Sequence, residues 1–368
     1  MPYRNIIIKR PLIDLIEILN ILILKHKTNL DNESTSGFKV RSYVKILNTV
    51  SKFPISHVKN IAEMEQHFIQ SGVAKPKKIL KITEEFLKTG KNQESIQAME
   101  QPVLKAVMNL TKIYAIGPSN AKKLFNNYGI TTLTELRHQF KQTPNILNKK
   151  QAIGLKYFEE LNIRIPRNEI NAYQSILSEI CTSISPHIEM SINGSYRRGL
   201  LSSGDIDILI TSSGDSQKDR DTGKLRNEFI KQLVGKGIII EVLAKGVKKF
   251  MGISRLESMG FATARHLDII DTAPETYAFA QLYFTGSGGF NSSMRAQALK
   301  LGYSLNEYTL SHKDTKIPIS KALIQSKIQK DFIENERDIF DFLELEYVSP
   351  EARNNVTVSK VLRSLNQK

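Results

Sequence analysis

The residues whose types and spacing could do chemistry cluster in Gly-Ser-Tyr-Arg-Arg-Gly (194–199), followed by Ser-Ser-Gly-Asp-Ile-Asp-Ile-Leu-Ile (202–210). The alternation in the second string predicts a strand with Asp205 and Asp207 on one face and Ile206 and Ile208 on the other. Two carboxylates sharing a face repel each other unless a cation holds them. A hard divalent ion such as Mg²⁺, with Mn²⁺ as a substitute, takes oxygen ligands and keeps positions open for phosphate oxygens. The first string adds what a phosphate needs: close backbone approach, a hydroxyl and guanidinium groups. Asp-x-Asp alone would read as a polar turn entering an edge strand, but the combined string points to metal-assisted phosphate chemistry. Asp268, a lone carboxylate within the apolar strand Arg-His-Leu-Asp-Ile-Ile (265–270), costs free energy unless paired or metal-bound and is the natural third ligand. Asp271 is an alternative ligand, but it lies past the apolar run and is expected to begin a turn.

The elements that must position these groups belong to a chain of 368 residues, long enough for several units. An excess of 52 Lys+Arg over 37 Asp+Glu, net +15, favours a polyanionic partner, nucleic acid before membrane. The single cysteine, Cys181, excludes an intrachain disulfide and a Cys-based zinc site. In the apolar run from Leu12 to Leu24, Asp14, Glu17 and Asn20 recur at helical spacing, which reads as an amphipathic helix rather than a signal peptide or a membrane span. An intracellular protein is expected.

Four segments are expected, of overall class α+β. Residues 1–97 read as a basic helical unit, in which Lys39 and Tyr43 share a helix face. Lys75, Lys77, Lys78 and Lys81 crowd a later helix start beside Ile79, Leu80 and Ile82. A lysine desolvated among other cations would lose its proton more readily and could act as a nucleophilic amine. Residues 98–166 read as a second helical unit, with Ile-Gly-Pro-Ser (116–119) as a hairpin between helices. Gly117 is expected to take the left-handed turn there, Pro118 to open the next helix, and Lys122 and Lys123 to add charge for a backbone phosphate. Residues 167–274 hold the carboxylate strands. Residues 275–368 open with Tyr283, Phe284, a glycine-rich turn through Gly286, Gly288 and Gly289, and a helix bearing Asn291 and Arg295. They end in a polar, basic tail from about Glu351.

In these strings, all in the same order, the chain resembles the family X DNA polymerases, with the architecture of DNA polymerase beta. Further strings that carry the resemblance are Tyr-Phe-Thr-Gly-Ser (283–287), Phe290-Asn291 with Met294-Arg295-Ala296, Asn306-Glu307-Tyr308 and Glu336-Arg337-Asp338-Ile339-Phe340. The resemblance implies that Asp205, Asp207 and Asp268 bind two catalytic Mg²⁺ ions, with Asp268 nearest the attacking oxygen. By the same resemblance, Ser195, Arg198, Ser203, Gly204 and Arg164 hold the triphosphate of an incoming dNTP. Tyr283, Phe284 and Gly286 would contact its sugar, Asn291 the base edge and Arg295 the template. The carbonyls of Thr111, Ile113 and Ile116 would hold Na⁺ or K⁺ against a primer phosphate, beside Gly117 and Ser119.

The N-terminal unit resembles a 5′-deoxyribose phosphate lyase domain, with Lys39, Tyr43 and Lys78 at the 5′-phosphate pocket. Alignment back from Glu85-Phe86-Leu87 puts Ile82 at the Schiff-base position, and a one-residue shift makes Lys81 the nucleophile. The first hairpin reads Gly-Val-Ala-Lys-Pro (72–76) in place of Gly-x-Gly. Other departures are His266 where an arginine precedes the third aspartate, Gly288-Gly289 in place of bulkier residues, and Ala115 in place of a glycine. His266 would make the primer-end contact pH-sensitive. The expected function is template-directed filling of short gaps in base excision repair, on gapped or nicked DNA, by a monomer with no membrane partner. It would act in the nucleus or at a viral or cytoplasmic replication site. The rivals are a template-independent nucleotidyltransferase, for which the chain lacks the Gly-Trp pair at 283–284, and a non-catalytic DNA-end scaffold.

Overall fold

The computed structural model describes residues 10–28, 36–51, 53, 56–70, 77–214, 223–246 and 248–354. The hairpin at 72–76, Lys75, Pro54 and the tail beyond 354 lie outside the described residues. Contacts divide the chain into Met1–Lys156 and Tyr157–Lys368.

In the first unit, helix α1 (Leu12–Lys27) buries Leu12, Leu15, Leu19 and Leu22 on one stripe. Asp14, Glu17 and Asn20 stay exposed on the other, as amphipathic spacing requires. Helices α2 (Ser36–Val50), α3 (Ile61–Gln70) and α4 (Lys77–Thr89) close over that stripe with Tyr43, Phe68, Ile79, Ile82 and Phe86. Helix α5 (Gln93–Glu100) follows, and then α6 (Pro102–Leu110) and α7 (Pro118–Tyr128), joined by a tight turn.

The left-handed residue of that turn is Ala115, at φ 63°, and not Gly117, which is extended at φ −85° and caps α7. The chain reverses two residues earlier than the glycine suggests, and a residue with a Cβ carries the strained conformation. Helices α8 (Leu133–Gln142) and α9 (Lys149–Lys156) complete the unit. Gly154 on α9 lies so close to the turn that an added Cβ would stand 2.4 Å from the Tyr114 carbonyl oxygen.

The second unit is built on a five-stranded mixed sheet. Its strands are β1 (Ile188–Ile192), β2 (Ile206–Ser212), β3 (Ile239–Lys245), β4 (Lys249–Leu256) and β5 (Phe261–Asp271), in the order β1-β2-β5-β4-β3. Only β2 and β5 run parallel. The carboxylate strand β2 is therefore flanked on both sides and is not an edge. Asp271 ends β5 opposite Ile210.

The alternation along β2 sorts the sheet's faces. Ile206, Ile208 and Ile210 join Leu267, Ile269 and Phe250 in a core covered by α10 (Arg167–Ile184) and α12 (Lys224–Gly235). Asp207 and Asp268 are left on the opposite face. The one-turn helix α11 (Gly194–Arg197) lies between β1 and β2.

Beyond the sheet, α13 (Pro274–Thr285), α14 (Gly288–Lys300), a short antiparallel hairpin (Tyr303–Leu305 with Leu310–His312), α15 (Lys321–Ile328) and α16 (Glu336–Phe342) share a core around Phe290, Phe340 and Phe342. The segment from Glu351 to Asn354 is not part of a polar tail. It belongs to a 3₁₀ turn that buries Arg353, 1% exposed, against Glu336.

Candidate active site

Sheet register brings the two predicted carboxylate strands together. Asp207 on β2 lies directly opposite Asp268 on the parallel neighbour β5. Parallel strands in register place the side chains of facing residues on one face. Asp205 precedes β2 and is exposed. The turn above them is held by backbone: the Asn193 N–H donates to the Asp207 carbonyl oxygen at 2.8 Å. Gly194, at φ 59°, leaves no room for a side chain, since a Cβ there would meet Asp207 Oδ2 at 2.5 Å. Ser195 Oγ donates to Ser203 Oγ at 2.9 Å, linking the two halves of the motif.

A cleft of about 600 Å³ opens above this floor, lined by Arg164, Ser195, Arg198, Gly204, Asp205, Asp207, Tyr283, Phe284, Gly286, Asn291 and Arg295 among others. All of these were singled out from the sequence, Arg295 for the template, whereas Ser203 and Asp268 do not line the cleft. Arg164 Nε reaches Ser202 Oγ at 3.1 Å. Tyr283 and Phe284 meet edge-on at 4.9 Å. Asn291 Nδ2 donates to the Tyr283 carbonyl at 2.7 Å, and Arg295 lies over the Tyr283 ring. Leu200 and Ser292 also line the cleft and were missed, because nothing in their local sequence marks them.

Burial, then the neighbouring Asp205 and Asp268, push the Asp207 carboxyl up to about 7. A carboxyl so strained is the environment that a divalent cation relieves. Asp268 carries a second sign of the same kind: its Oδ1 is buried and makes no hydrogen bond. The residues present thus fit a cation, although among the described residues no three carboxylate, imidazole or thiol groups stand at metal-ligand spacing. Asp268 Oδ2 is instead 2.5 Å from Lys249 Nζ, a partner the sequence did not reveal. His266 Nδ1 lies 3.6 Å from Asp268 Oδ1. Burial keeps its imidazole below the ordinary value despite that carboxylate, which favours the neutral ring at neutral pH.

The two motif arginines diverge. Arg198 points to the cleft, donating to the Thr285 carbonyl at 2.6 Å and to Asn354 Oδ1 at 2.7 Å. Arg197 turns away and makes a paired contact with buried Glu336, both bonds at 2.9 Å, while Arg353 takes the same carboxylate from the other side. Glu336 is consequently held below the usual carboxylate range even though burial acts to raise it.

In the first unit, Tyr43, Lys78 and Glu94 meet. Lys78 Nζ stands 5.5 Å above the Tyr43 ring and 3.3 Å from Glu94, which also pairs with Lys25 at 3.3 Å. His26 stacks on Tyr43 and is held low by burial and then by Lys39 and Lys78. Sequence reading missed His26 because it lies on the core stripe of α1. The lysines expected to be desolvated lie in different surroundings. Lys81 is exposed, Ile82 fills the core, and Lys78 is raised because Tyr43 and Glu94 outweigh its burial.

At the second hairpin, Gly117 and Ser119 are exposed beside the predicted carbonyls, of which that of Ile113 already accepts the Ile116 N–H at 3.1 Å. Lys123 is exposed, and Lys122 donates to the Thr28 carbonyl at the end of α1 at 3.0 Å.

The mixed sheet thus carries facing aspartates beside a cleft of about 600 Å³ walled by Arg164, Arg198 and Arg295. Residues 164–274 match the DNA polymerase beta palm, residues 280–354 the DNA polymerase beta thumb, and residues 108–162 the fingers domain of DNA polymerase lambda. With fingers, palm and thumb matched in chain order, the chain belongs to the family X DNA polymerases, of the beta and lambda kind.

It is 25% identical over 327 residues to DNA polymerase lambda of Arabidopsis thaliana, covering 85% of this chain and 57% of that one. To DNA polymerase lambda of Rattus norvegicus it is 30% identical over 265 residues, covering 69% and 42%. To DNA nucleotidylexotransferase of Xenopus laevis it is 25% identical over 309 residues, covering 74% and 57%. The chain thus spans about half the length of the curated relatives it matches. Among the described residues, no helix is long and apolar enough to cross a membrane.

Proposed function

We propose that this chain is a template-directed DNA polymerase that fills short gaps during base excision repair, taking dNTPs on gapped or nicked DNA. The observation that carries the reading is Asp207, paired in register with Asp268, lining a cleft together with Asp205, Ser195, Arg198, Gly204 and Arg164. Asp205, Asp207 and Asp268 would hold Mg²⁺ or Mn²⁺. When bound, a pair of such ions supplies acidity to a primer 3′-hydroxyl and charge stabilisation to a leaving pyrophosphate.

The chain's own residues do the rest. Ser195, Ser203, Gly204, Arg198 and Arg164 clamp the triphosphate and align it for in-line attack. Tyr283, Phe284 and Gly286 form the wall against the sugar. Asn291, fixed on the Tyr283 carbonyl, presents its amide to the base edge, and Arg295 faces the template. Asp268 would accept the proton of the attacking hydroxyl. The hairpin at Thr111, Ile113, Ile116, Gly117 and Ser119 grips backbone phosphate with a monovalent cation, Na⁺ or K⁺. Lys39, Tyr43 and Lys78 anchor a 5′-phosphate. For a lyase step the amine is assigned to Lys81.

Extension of a primer across a 5′-phosphorylated one-nucleotide gap tests this directly, with the complementary base expected and loss of extension in Asp205→Ala. Extension of a single strand without template would instead select the template-independent reading, which the similarity to a nucleotidylexotransferase keeps in play. Binding to gapped DNA with no incorporation would select the scaffold. Borohydride trapping on an incised abasic site reads the lyase step, and trapping unchanged in Lys81→Ala would move the amine elsewhere.

A further inference from the structure

The third carboxylate is already occupied by a cation of the protein's own. β4 and β5 are antiparallel, with Met251 opposite Asp268 and Lys249 opposite Ile270. Lys249 is therefore the diagonal neighbour of Asp268 on the same face, a separation that a four-carbon side chain spans. Its ammonium lies 2.5 Å from Asp268 Oδ2, with the lysine side chain 44% exposed and the aspartate 11%. Asp207, directly opposite Asp268, also feels Lys249 and Arg198, but burial and then the neighbouring Asp205 and Asp268 outweigh them and hold its carboxyl up. Asp268 Oδ1 stays buried and unbonded.

We infer that Lys249 is a positioning residue that competes with the divalent cation for Asp268, so that the cation affinity of the site is set by an ion pair built into the sheet. The inference rests on the reading of the aspartates as cation ligands. In the absence of metal the ammonium offsets repulsion within the trio and holds the Asp268 carboxylate on the β4 side. A divalent ion that takes Asp268 must first release it. Release is cheap, because a lysine almost half in solvent recovers its hydration as it leaves. An arginine or lysine serves the purpose equally, and a neutral side chain of the same length does not.

The test is Mn²⁺ binding to the DNA-free protein, read by the paramagnetic resonance of free Mn²⁺, in wild type, Lys249→Met, Lys249→Arg, Asp268→Asn and the Lys249→Met/Asp268→Asn double variant. An ammonium in direct contact with a ligand oxygen and partly screened by solvent weakens a divalent ion by about tenfold. Lys249→Met should accordingly bind Mn²⁺ about tenfold more tightly, Lys249→Arg should match wild type, and the same lysine change made on top of Asp268→Asn should give a much smaller gain, because only the weaker influence of Lys249 on Asp207 is left. Equal or weaker binding in Lys249→Met overturns the inference, as does a gain that survives undiminished in the double variant. A purely structural lysine would change the melting temperature without moving the Mn²⁺ affinity. If Lys249→Met does not fold, Lys249→Gln replaces it with the same expected gain. Asp268→Asn binding Mn²⁺ as tightly as wild type would instead reject the cation-ligand reading itself.

Discussion

Replacing Asp207 by Asn should abolish nucleotide incorporation and at the same time make the metal-free protein more stable. A carboxyl whose folded pKa lies above its unfolded one binds its proton longer in the folded state. Its contribution therefore penalises folding progressively as pH rises from about 4 to about 7, and the full penalty persists above that. The separation between the ordinary 3.8 and about 7 at Asp207 sets an upper bound of about 4 kcal/mol. Sharing of charge with Asp205 and Asp268, and partial access to water, reduce this to about 2 kcal/mol. For a unit of this size the gain corresponds to a melting temperature higher by about 4–8 °C. The assay is thermal unfolding in EDTA at about pH 8 and about pH 4, followed by circular dichroism, beside gap filling in Mg²⁺. The Asn variant should melt higher than wild type at the upper pH and close to it at the lower. An Asn variant that melts at or below wild type at the upper pH would refute the electrostatic argument.

Other substitutions follow from single contacts. Ala115→Gly relieves a left-handed alanine and should raise the stability of the first unit by about 0.5–1 kcal/mol after the entropic cost of glycine, measured by urea unfolding of the full chain. Gly154→Ala drives a methyl into the Tyr114 carbonyl; it should cost about 1–3 kcal/mol and weaken binding to gapped DNA in a filter or anisotropy assay. Glu336→Gln strands two guanidiniums and should destabilise the second unit by about 3–5 kcal/mol, seen as a lowered urea midpoint.

What the sequence could disclose follows the range of each interaction. The face of Asp207 was legible because strand alternation is local, and Asp268 stood out because a carboxylate in an apolar run is rare without a partner. Which partner it takes was not legible. Lys249 reaches Asp268 only through the register of β4 on β5, and no pattern within either strand states that register. Pairing of Arg353 and Arg197 with Glu336 is hidden for the same reason, and so a segment of polar composition at 351–354 read as tail. The hairpin misled in another way: glycine is the residue expected at positive φ, yet here that conformation falls on Ala115 and Gly117 caps a helix. The lysines of α4 were legible as a cluster, but a helical turn decides which face is wet, and it turned Lys81 outward and Ile82 inward.

The divergence of Arg197 and Arg198 bears on how variation here should be interpreted. Adjacent and chemically identical, they answer to different demands: one is judged by whether the closing segment stays docked, the other by whether a polyphosphate is gripped. Lysine at 197 cannot reproduce a forked contact shared with a second guanidinium, so its penalty would surface as loss of folded protein. Lysine at 198 keeps a positive charge beside the cleft, and its penalty would surface as weaker substrate capture by a protein that is otherwise sound.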